Sequence, residues 1–210
     1  SIYSIGLEAF KNCKGFTGHL ILPDSLTELG GESTYIRGVF AGCSGFSGSL
    51  VIPESLTIIP SATFQGCSGM NGNLILHDNL TIYKQAFAGC SFQGELKLPS
   101  NITTIPEQCF ESCRFTSILF PEELISIEAS AFASNTRLTG ILEFPQSLVS
   151  IKNFAFSGCS NLEGAIIPAD LNLIGGSAFQ NCYYMHTMVL NSAIPPVIQS
   201  SVFGGVPKDN

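Results

Sequence analysis

The sequence has few charges, and basic residues are the scarcest of them. Only 12% of its 210 residues are charged, and 9 Lys and Arg against 16 Asp and Glu give a net charge of −7. The basic residues form no cluster, so neither nucleic acid nor an anionic lipid surface is favoured as a partner. Hydrophobic residues make up 45% of the chain, which indicates an ordered globular protein.

Long apolar runs are also missing. No run approaches the ~20 residues that a helix needs to cross a bilayer. Residues 1–30 lack a basic segment followed by an apolar one, which is the pattern of a signal peptide. We therefore expect any export signal to lie outside this chain.

What the sequence has instead is a repeated Ala-Phe-x-x-Cys unit, as in Ala86–Cys90. A period of 20 to 50 residues predicts a stacked solenoid, which forms one domain because each coil buries its core against its neighbours. We predict a single domain over residues 1–210, an α/β-type repeat solenoid, mostly β and irregular, of about eight coils of ~23 residues. The repeat phenylalanine recurs after 30 residues once and after 22 to 24 otherwise, at Phe10, Phe40, Phe64, Phe87, Phe110, Phe132, Phe156, Phe179 and Phe203.

A short apolar run that usually ends in proline follows each unit, as in Leu50-Val51-Ile52-Pro53. Proline cannot donate to a strand ladder, so each run is predicted to be a short strand that ends there. The first and third side chains of such a strand point inward and the middle one points outward. We predict one parallel β-sheet along the array, with Ala-Phe-x-x-Cys forming a short helical or 3₁₀ turn opposite it. The predicted core includes Phe64, Phe87, Phe110, Phe132 and Phe156.

The cysteines form a ladder instead of a disulfide framework. Adjacent parallel strands lie ~4.8 Å apart with side chains running side by side, whereas a disulfide needs Cβ atoms that turn toward each other. Zinc needs four converging ligands, and the sequence has no C-x-x-C motif. Asn135 fills the same slot in one coil, and Cys109 replaces a small alanine. We therefore predict reduced, buried thiols at Cys13, Cys43, Cys67, Cys90, Cys113, Cys159 and Cys182.

No catalytic or metal-binding pattern emerges. The sequence contains no H-E-x-x-H or G-x-S-x-G motif, and its histidines occupy unrelated slots at His19, His77 and His186. Asp24, Glu54 and Asp78 recur directly after the strands, so capping of turns is favoured over acid/base pairs or calcium ligands. We expect no catalytic residue, metal or cofactor.

Two segments depart from the repeat. About six residues are added near Gly30, and their Gly-Gly and Glu-Ser-Thr content predicts a surface loop insertion at 30–36. Residues 191–210 are interpreted as a terminal partial repeat.

The outward middle positions of the strands are the candidate binding face. Contiguous exposed apolar side chains tend to mark an interaction site. Two alternatives are that the strand register is shifted by one residue, or that another segment or a second copy covers the sheet. The face is flanked by His19, Ser49, Asn73, Glu95 and Ser117. Six of its eight positions are apolar, and its residues are Ile21, Val51, Ile75, Lys97, Leu119, Glu143, Ile166 and Val189.

The order of these residues resembles the BspA-like leucine-rich repeats of bacterial surface proteins over nearly the whole chain. The likeness is clearest in Ala155-Phe156-Ser157-Gly158-Cys159-Ser160-Asn161-Leu162, and Ala193–Val197 resembles a terminal unit. The resemblance implies a leucine-rich repeat fold, an extracellular or cell-surface location, and a role in adhesion or host-protein binding. It transfers no catalytic residue.

Two functions follow as expectations. The first is a non-catalytic module that binds a protein or glycan, with self-association through the sheet face as one form of binding. The second is a structural spacer that presents another domain at the cell surface. In both cases we expect this chain to be a fragment of a longer exported protein. The resemblance alone does not separate them, because a fold hosts many functions.

Overall fold

The computed structural model describes residues 1–30, 38–191 and 194–207. These residues form a parallel β-solenoid of about eight coils, built from short strands and turns. Within the described ranges there is no helix, and accordingly none that is long and apolar enough to span a membrane. The predicted loop at 30–36 lies outside the described residues except for Gly30.

Two columns of parallel strands run along the solenoid. The first strand column comprises β3 (Leu50–Val51), β5 (Leu74–Ile75), β7 (Gln93–Lys97), β9 (Arg114–Leu119), β11 (Ile141–Glu143), β13 (Gly164–Ile167) and β15 (Thr187–Leu190). The second strand column comprises β1 (Ser4–Ile5), β2 (Glu28–Leu29), β4 (Ile58–Ile59), β6 (Thr81–Ile82), β8 (Thr104–Ile105), β10 (Ser126–Ile127), β12 (Ser150–Ile151), β14 (Leu173–Ile174) and β16 (Val197–Ile198).

The prediction of one continuous sheet is wrong. The first column divides into the sheets β3-β5, β7-β9 and β11-β13-β15, and the second into β1-β2, β4-β6 and β8-β10-β12-β14-β16. A second column forms because the segment after the proline turn is also extended, so its N–H groups find carbonyls in the neighbouring coil, as Thr81 does at Thr57. The predicted strand at 20–22 does not form in the structure, and an isolated bridge between Gly18 and Phe46 stands near its place.

The helical or 3₁₀ turns predicted for Ala-Phe-x-x-Cys are also wrong, and with them the α/β type. The backbone turns left-handed twice around each repeat phenylalanine other than Phe40, for example at Gln85 (φ 59°) and Gly89 (φ 70°), which flank Phe87. A left-handed residue interrupts a right-handed helix. The N–H groups of this segment instead donate to the next coil, from Phe87 to Cys109 at 3.0 Å and from Gly89 to Glu111 at 2.7 Å.

The predicted phenylalanine core is confirmed, and its rings are stacked. Consecutive repeat phenylalanines lie 5.2–6.0 Å apart between ring centroids, with interplanar angles of 3–11°. Phe64, Phe87, Phe110, Phe132 and Phe156 are buried. A second set of rings packs edge-on against this stack, as Phe115 does against Phe110 at 6.0 Å. Each fully buried ring contributes about 1.5–3 kcal/mol, which ties every coil to its neighbours.

Candidate binding face

The first strand column alternates as its sequence predicts. The first and third positions are buried in most coils, as at Leu50, Ile52, Leu96 and Leu98. The middle position points away from the core, because successive side chains of a strand lie on opposite sides. We call the outward side of this column the first-column face.

Seven of the eight predicted face residues are exposed. Among the apolar ones, Ile21 is 84%, Val51 54%, Ile75 49%, Leu119 51% and Val189 41% exposed. The charged residues Lys97 and Glu143 are exposed as well, and Ile166 is half-buried. In the described residues the register is therefore the predicted one, and these side chains are not part of the monomer's core.

One further apolar residue belongs to the same surface. Ile141 is 44% exposed and pairs with Gly164, two positions before Glu143 on β11. Sequence reasoning missed it, although the alternation Ile141-Leu142-Glu143 was a sufficient signal. Leu190, at the end of β15, is 42% exposed but follows Val189 and therefore lies on the opposite side of the strand, in the slot that Ile167 fills in the preceding coil.

The second strand column differs at its corresponding positions. Its middle coils carry hydroxyl groups there, and Ser126 Oγ and Ser150 Oγ lie 3.1 Å apart. The residues concerned are Thr81, Thr104, Ser126 and Ser150. Apolar residues do occupy this slot at Ile58 and Val197, which are 48% and 65% exposed. The middle coils nevertheless show that the fold does not require an apolar residue there.

Two shallow depressions open on the first-column face. One has a volume of about 410 Å³ and lies between the coils that carry Val51, Ile75 and Lys97. The other has a volume of about 440 Å³ and is lined by Leu119 and Ile141 among others. Carboxylates border both depressions, Asp24, Glu54 and Asp78 at the first and Glu122 and Glu143 at the second.

At the first depression, His77 occupies the position where most coils have the strand-ending proline. Its side chain is 6% exposed, and its Nε2 lies 3.1 Å from the carbonyl oxygen of Leu56 in the preceding coil. Its Nδ1 is buried without a hydrogen-bond partner among the described residues and lies 3.6 Å from Glu54 Oε2. Sequence spacing gives His77 no role, because its surroundings, Leu56 and Glu54, come from another coil.

The neighbouring carboxylate, Asp78, is held by the next coil. Its Oδ1 accepts a hydrogen bond from the backbone N–H of Ser100 at 2.8 Å. Hydrogen bonds from the backbone and side chain of Ser100 lower the pKa of Asp78 below its usual value. Asp78 therefore stays ionised at neutral pH, at the edge of the first depression.

The sequence matches a known repeat family over nearly its whole length. The model of the BspA type leucine-rich repeat region matches in six copies, over residues 1–113 and 80–208. The chain belongs to the BspA-type leucine-rich repeat family.

Solved structures of bacterial leucine-rich repeat proteins are similar to this BspA-type chain. A leucine-rich repeat protein from Bacteroides ovatus is 23% identical with a TM-score of 0.73, over 91% of this chain and 60% of that one. A leucine-rich cell surface protein from Faecalibacterium prausnitzii is 20% identical with a TM-score of 0.47, over 91% of this chain and 70% of that one. No curated protein matches the chain. The Bacteroides structure supports the fold, and this chain spans 60% of its length.

The cysteines of this BspA-type array form hydrogen bonds, not disulfides. All eight are free and seven are buried, but Cys13, in the first coil, is half-buried, so the prediction of a buried thiol is wrong there. Each thiol from Cys43 onward in the ladder lies against the carbonyl oxygen of the phenylalanine one coil earlier, as with Cys67 and Phe40 at 3.1 Å. Burial raises the pKa of Cys43 to about 11 and that of Cys182 to about 12. Groups of three or more metal-ligating side chains are absent from the described part of the chain.

Proposed function

We propose that this chain is a non-catalytic binding module of a bacterial surface protein, and that the first-column face receives its ligand. The observation that carries the proposal is the row of exposed apolar side chains on this face. Exposed apolar residues that are contiguous tend to mark interaction sites, because water is released when a partner covers them.

The contrast with the second strand column supports this assignment. Both columns share one core and one repeat, so selection for folding alone acts on their outward positions alike. The second column carries Thr81 and Ser126 where the first carries Ile75 and Leu119 in the same coils, although Ile58, in the coil of Val51, is an exposed apolar residue. The apolar side chains of the first-column face therefore serve something other than stability of the solenoid.

Membership of the BspA-type family supports an extracellular or cell-surface location, and with it an adhesive role toward proteins or glycans. The fold fits such a role, since a solenoid presents an extended row of side chains from successive coils. The family provides a scaffold, and the specificity of binding comes from the outward residues of this particular chain.

The proposal is tested with Ile75→Asp and Leu119→Asp in a binding screen against extracellular matrix proteins and glycans. Both positions are exposed, so the variants should fold with stability within about 0.5 kcal/mol of the parent. Thr81→Asp, on the second column, is the matched control. We expect the two face variants to lose a ligand that the parent and Thr81→Asp retain.

Other outcomes decide against the binding assignment. If a ligand binds the parent, Ile75→Asp and Leu119→Asp equally, the first-column face is not its site. If the parent binds no ligand and sediments as a monomer at every concentration, the chain acts as a structural spacer. Concentration-dependent dimerisation that Leu119→Asp abolishes would assign the face to self-association.

A further inference from the structure

The first-column face has an acidic edge beside its apolar row. The two positions that follow each strand-ending residue carry a carboxylate in most coils, and none carries Lys or Arg. Among the described residues, no Lys or Arg side chain forms an ion pair with these carboxylates. The residues of this acidic edge are Asp24, Glu54, Asp78, Glu122, Glu123 and Asp170.

An independent observation, at His77, also points to a ligand. Its Nε2 contacts the Leu56 carbonyl oxygen, which can only accept, so Nε2 carries the proton. In the neutral ring Nδ1 is then an acceptor, and it is buried without a donor. The atom 3.6 Å away, Glu54 Oε2, is an acceptor too. Two acceptors therefore converge where a positively charged N–H donor would satisfy both.

We propose that the ligand of this face is a cationic, amphipathic protein segment. Its apolar side chains cover Val51 and Ile75, and one lysine or arginine side chain enters the first depression between Asp24, Glu54, His77 and Asp78. This inference rests on the proposed function, because it specifies the chemistry of the partner that the first-column face binds.

Charge also favours a cationic segment over a second copy of the chain as the occupant of this face. A two-fold dimer through this face would bring two identical acidic edges into one interface. Like charges placed together at an interface disfavour the pairing. A basic segment instead replaces that repulsion by attraction, and it supplies the N–H donor that His77 and Glu54 lack.

The chain's own cation, Lys97, lies at the border of the same depression. Its charge acts on Asp78, where it lowers the pKa together with the hydrogen bonds from Ser100. A cationic ligand must therefore approach a site that already has one ammonium group nearby. Replacement of Lys97 by a neutral, apolar side chain removes that competition and continues the apolar row from Ile75 to Leu119.

The test uses three synthetic peptides of one length: alternating Leu and Lys, alternating Leu and Glu, and alternating Ser and Lys. Binding to the whole chain is measured by fluorescence anisotropy at low and at high salt. We expect the Leu/Lys peptide to bind best and to weaken with salt, because the carboxylates are exposed and screened. The double variant Asp24→Asn with Glu54→Gln should weaken it about fivefold or more, and Lys97→Met should strengthen it.

The single variant Glu54→Gln has a matched control in Glu107→Gln, which also removes one negative charge, from an exposed position on the turn side of the coil. Its affinity for the Leu/Lys peptide should equal that of the parent apart from a small long-range effect. If Glu107→Gln and Glu54→Gln weaken binding of the Leu/Lys peptide equally, the peptide is attracted to the acidic protein as a whole. That result would contradict a specific site at the first depression. Equal binding of the Leu/Glu peptide would overturn the charge assignment.

The ring of His77 gives a second readout. ¹⁵N NMR of the free protein should show a proton on Nε2 and none on Nδ1, and the Nδ1 signal should move when the Leu/Lys peptide binds. A ring that is protonated on both nitrogens would donate to Glu54 itself, which would leave no acceptor for a ligand and contradict the proposal.

Failure of this inference is distinguishable from failure of the proposed function. If Ile75→Asp abolishes binding of a natural ligand that is insensitive to Glu54→Gln and to salt, the face binds a partner but not a cationic one. If neither the peptides nor any ligand responds to Ile75→Asp, both proposals fail.

Discussion

The thiol of Cys113 lies 3.3 Å from the backbone carbonyl oxygen of Phe87, one coil earlier in the solenoid. The same relationship recurs between Cys90 and Phe64 at 3.1 Å, and between Cys182 and Phe156 at 3.3 Å. Each of these cysteines therefore joins the side-chain ladder to the backbone of the coil before it. Buried polar groups need a partner, and here an S–H donor and a carbonyl acceptor satisfy each other.

The chemistry of the thiols should follow their burial. We expect eight free thiols in denaturant without reductant, because the ladder geometry does not pair them. In the folded protein Cys13 should react first with a thiol reagent, since it alone is half-buried, while the other seven react only on unfolding. Fewer than eight groups in denaturant would reveal a disulfide, and uniform reactivity of all eight in the native state would contradict the ladder.

Stability should decline in alkali because the buried thiols keep their protons. Burial raises the pKa of Cys43 to about 11 and of Cys182 to about 12, from an ordinary value of 9.0. Above about pH 9 the unfolded chain loses protons that the folded chain retains, so the free energy of unfolding falls as pH rises toward 12. Each such thiol contributes about 1.4 kcal/mol per pH unit in this window.

Urea denaturation at several pH values between 8 and 11 measures this decline. The matched variant is Cys109→Ala, since Ala86 and Ala131 occupy the same slot and burial also raises the pKa of Cys109. We expect the variant to lose less stability than the parent over the same pH range. An identical slope for both would show that Cys109 is not involved.

Asn135 replaces a cysteine of the ladder, and the replacement is imperfect. Its Nδ2 donates to the carbonyl oxygens of Phe110 at 2.8 Å and Phe132 at 2.9 Å, but its Oδ1 is buried without a partner among the described residues. An unsatisfied buried acceptor costs about 1–3 kcal/mol. Asn135→Cys should keep a donor for Phe110 and remove the unsatisfied oxygen, and so raise the free energy of unfolding by about 1 kcal/mol.

The comparison variant is Asn135→Ala, which removes the donors as well. It should be less stable than Asn135→Cys in the same chemical denaturation assay. Equal stability of the two would mean that the donor to the Phe110 carbonyl contributes nothing.

The phenylalanine stack should dominate the core. Phe110 lies between Phe87 at 5.7 Å and Phe132 at 5.5 Å and is buried. Phe110→Ala leaves a cavity that both neighbours line and should cost about 3–5 kcal/mol. Phe154→Ala is the control, because that ring is 46% exposed and lies outside the stack, so its loss should cost about half as much or less. Equal melting temperatures of the two variants would contradict the interpretation that the phenylalanine stack dominates the core.

The sequence was informative where a periodic signal reports burial. The recurrence of Phe87 and its equivalents predicted the stack, and the Leu-x-Leu pattern before proline predicted that Ile75 and Leu119 point outward. The second strand column escaped prediction because a pair such as Thr81-Ile82 is too short to show alternation. The helical turns were wrong because Gln85 and Ser112 adopt positive φ without being glycine, and ordinary residues rarely signal that conformation.

The chemistry of the candidate site was less predictable than the fold. The carbonyl of Leu56 and the carboxylate of Glu54 reach His77 from another coil, so no spacing along the chain announces them. The apolar row could be found from sequence because it repeats. The two acceptors, His77 Nδ1 and Glu54 Oε2, could not be found from sequence, because they occur where a single coil departs from the repeat.

The hydrogen bonds around the phenylalanine turns give the solenoid a net dipole along its axis. The N–H of Phe87 donates to the carbonyl oxygen of Cys109 at 3.0 Å. The peptide group that contains this carbonyl also contains the N–H of Phe110, which donates to the carbonyl oxygen of Ala131 at 2.9 Å. The chain of peptide groups continues from coil to coil with every N–H directed toward the C-terminal side. Peptide dipoles of about 3.5 D thus add along the axis instead of alternating as they do across a sheet. The turn side of the solenoid therefore has the field of a helix in reverse, with its positive pole toward the C-terminal coils, and each added coil extends that field.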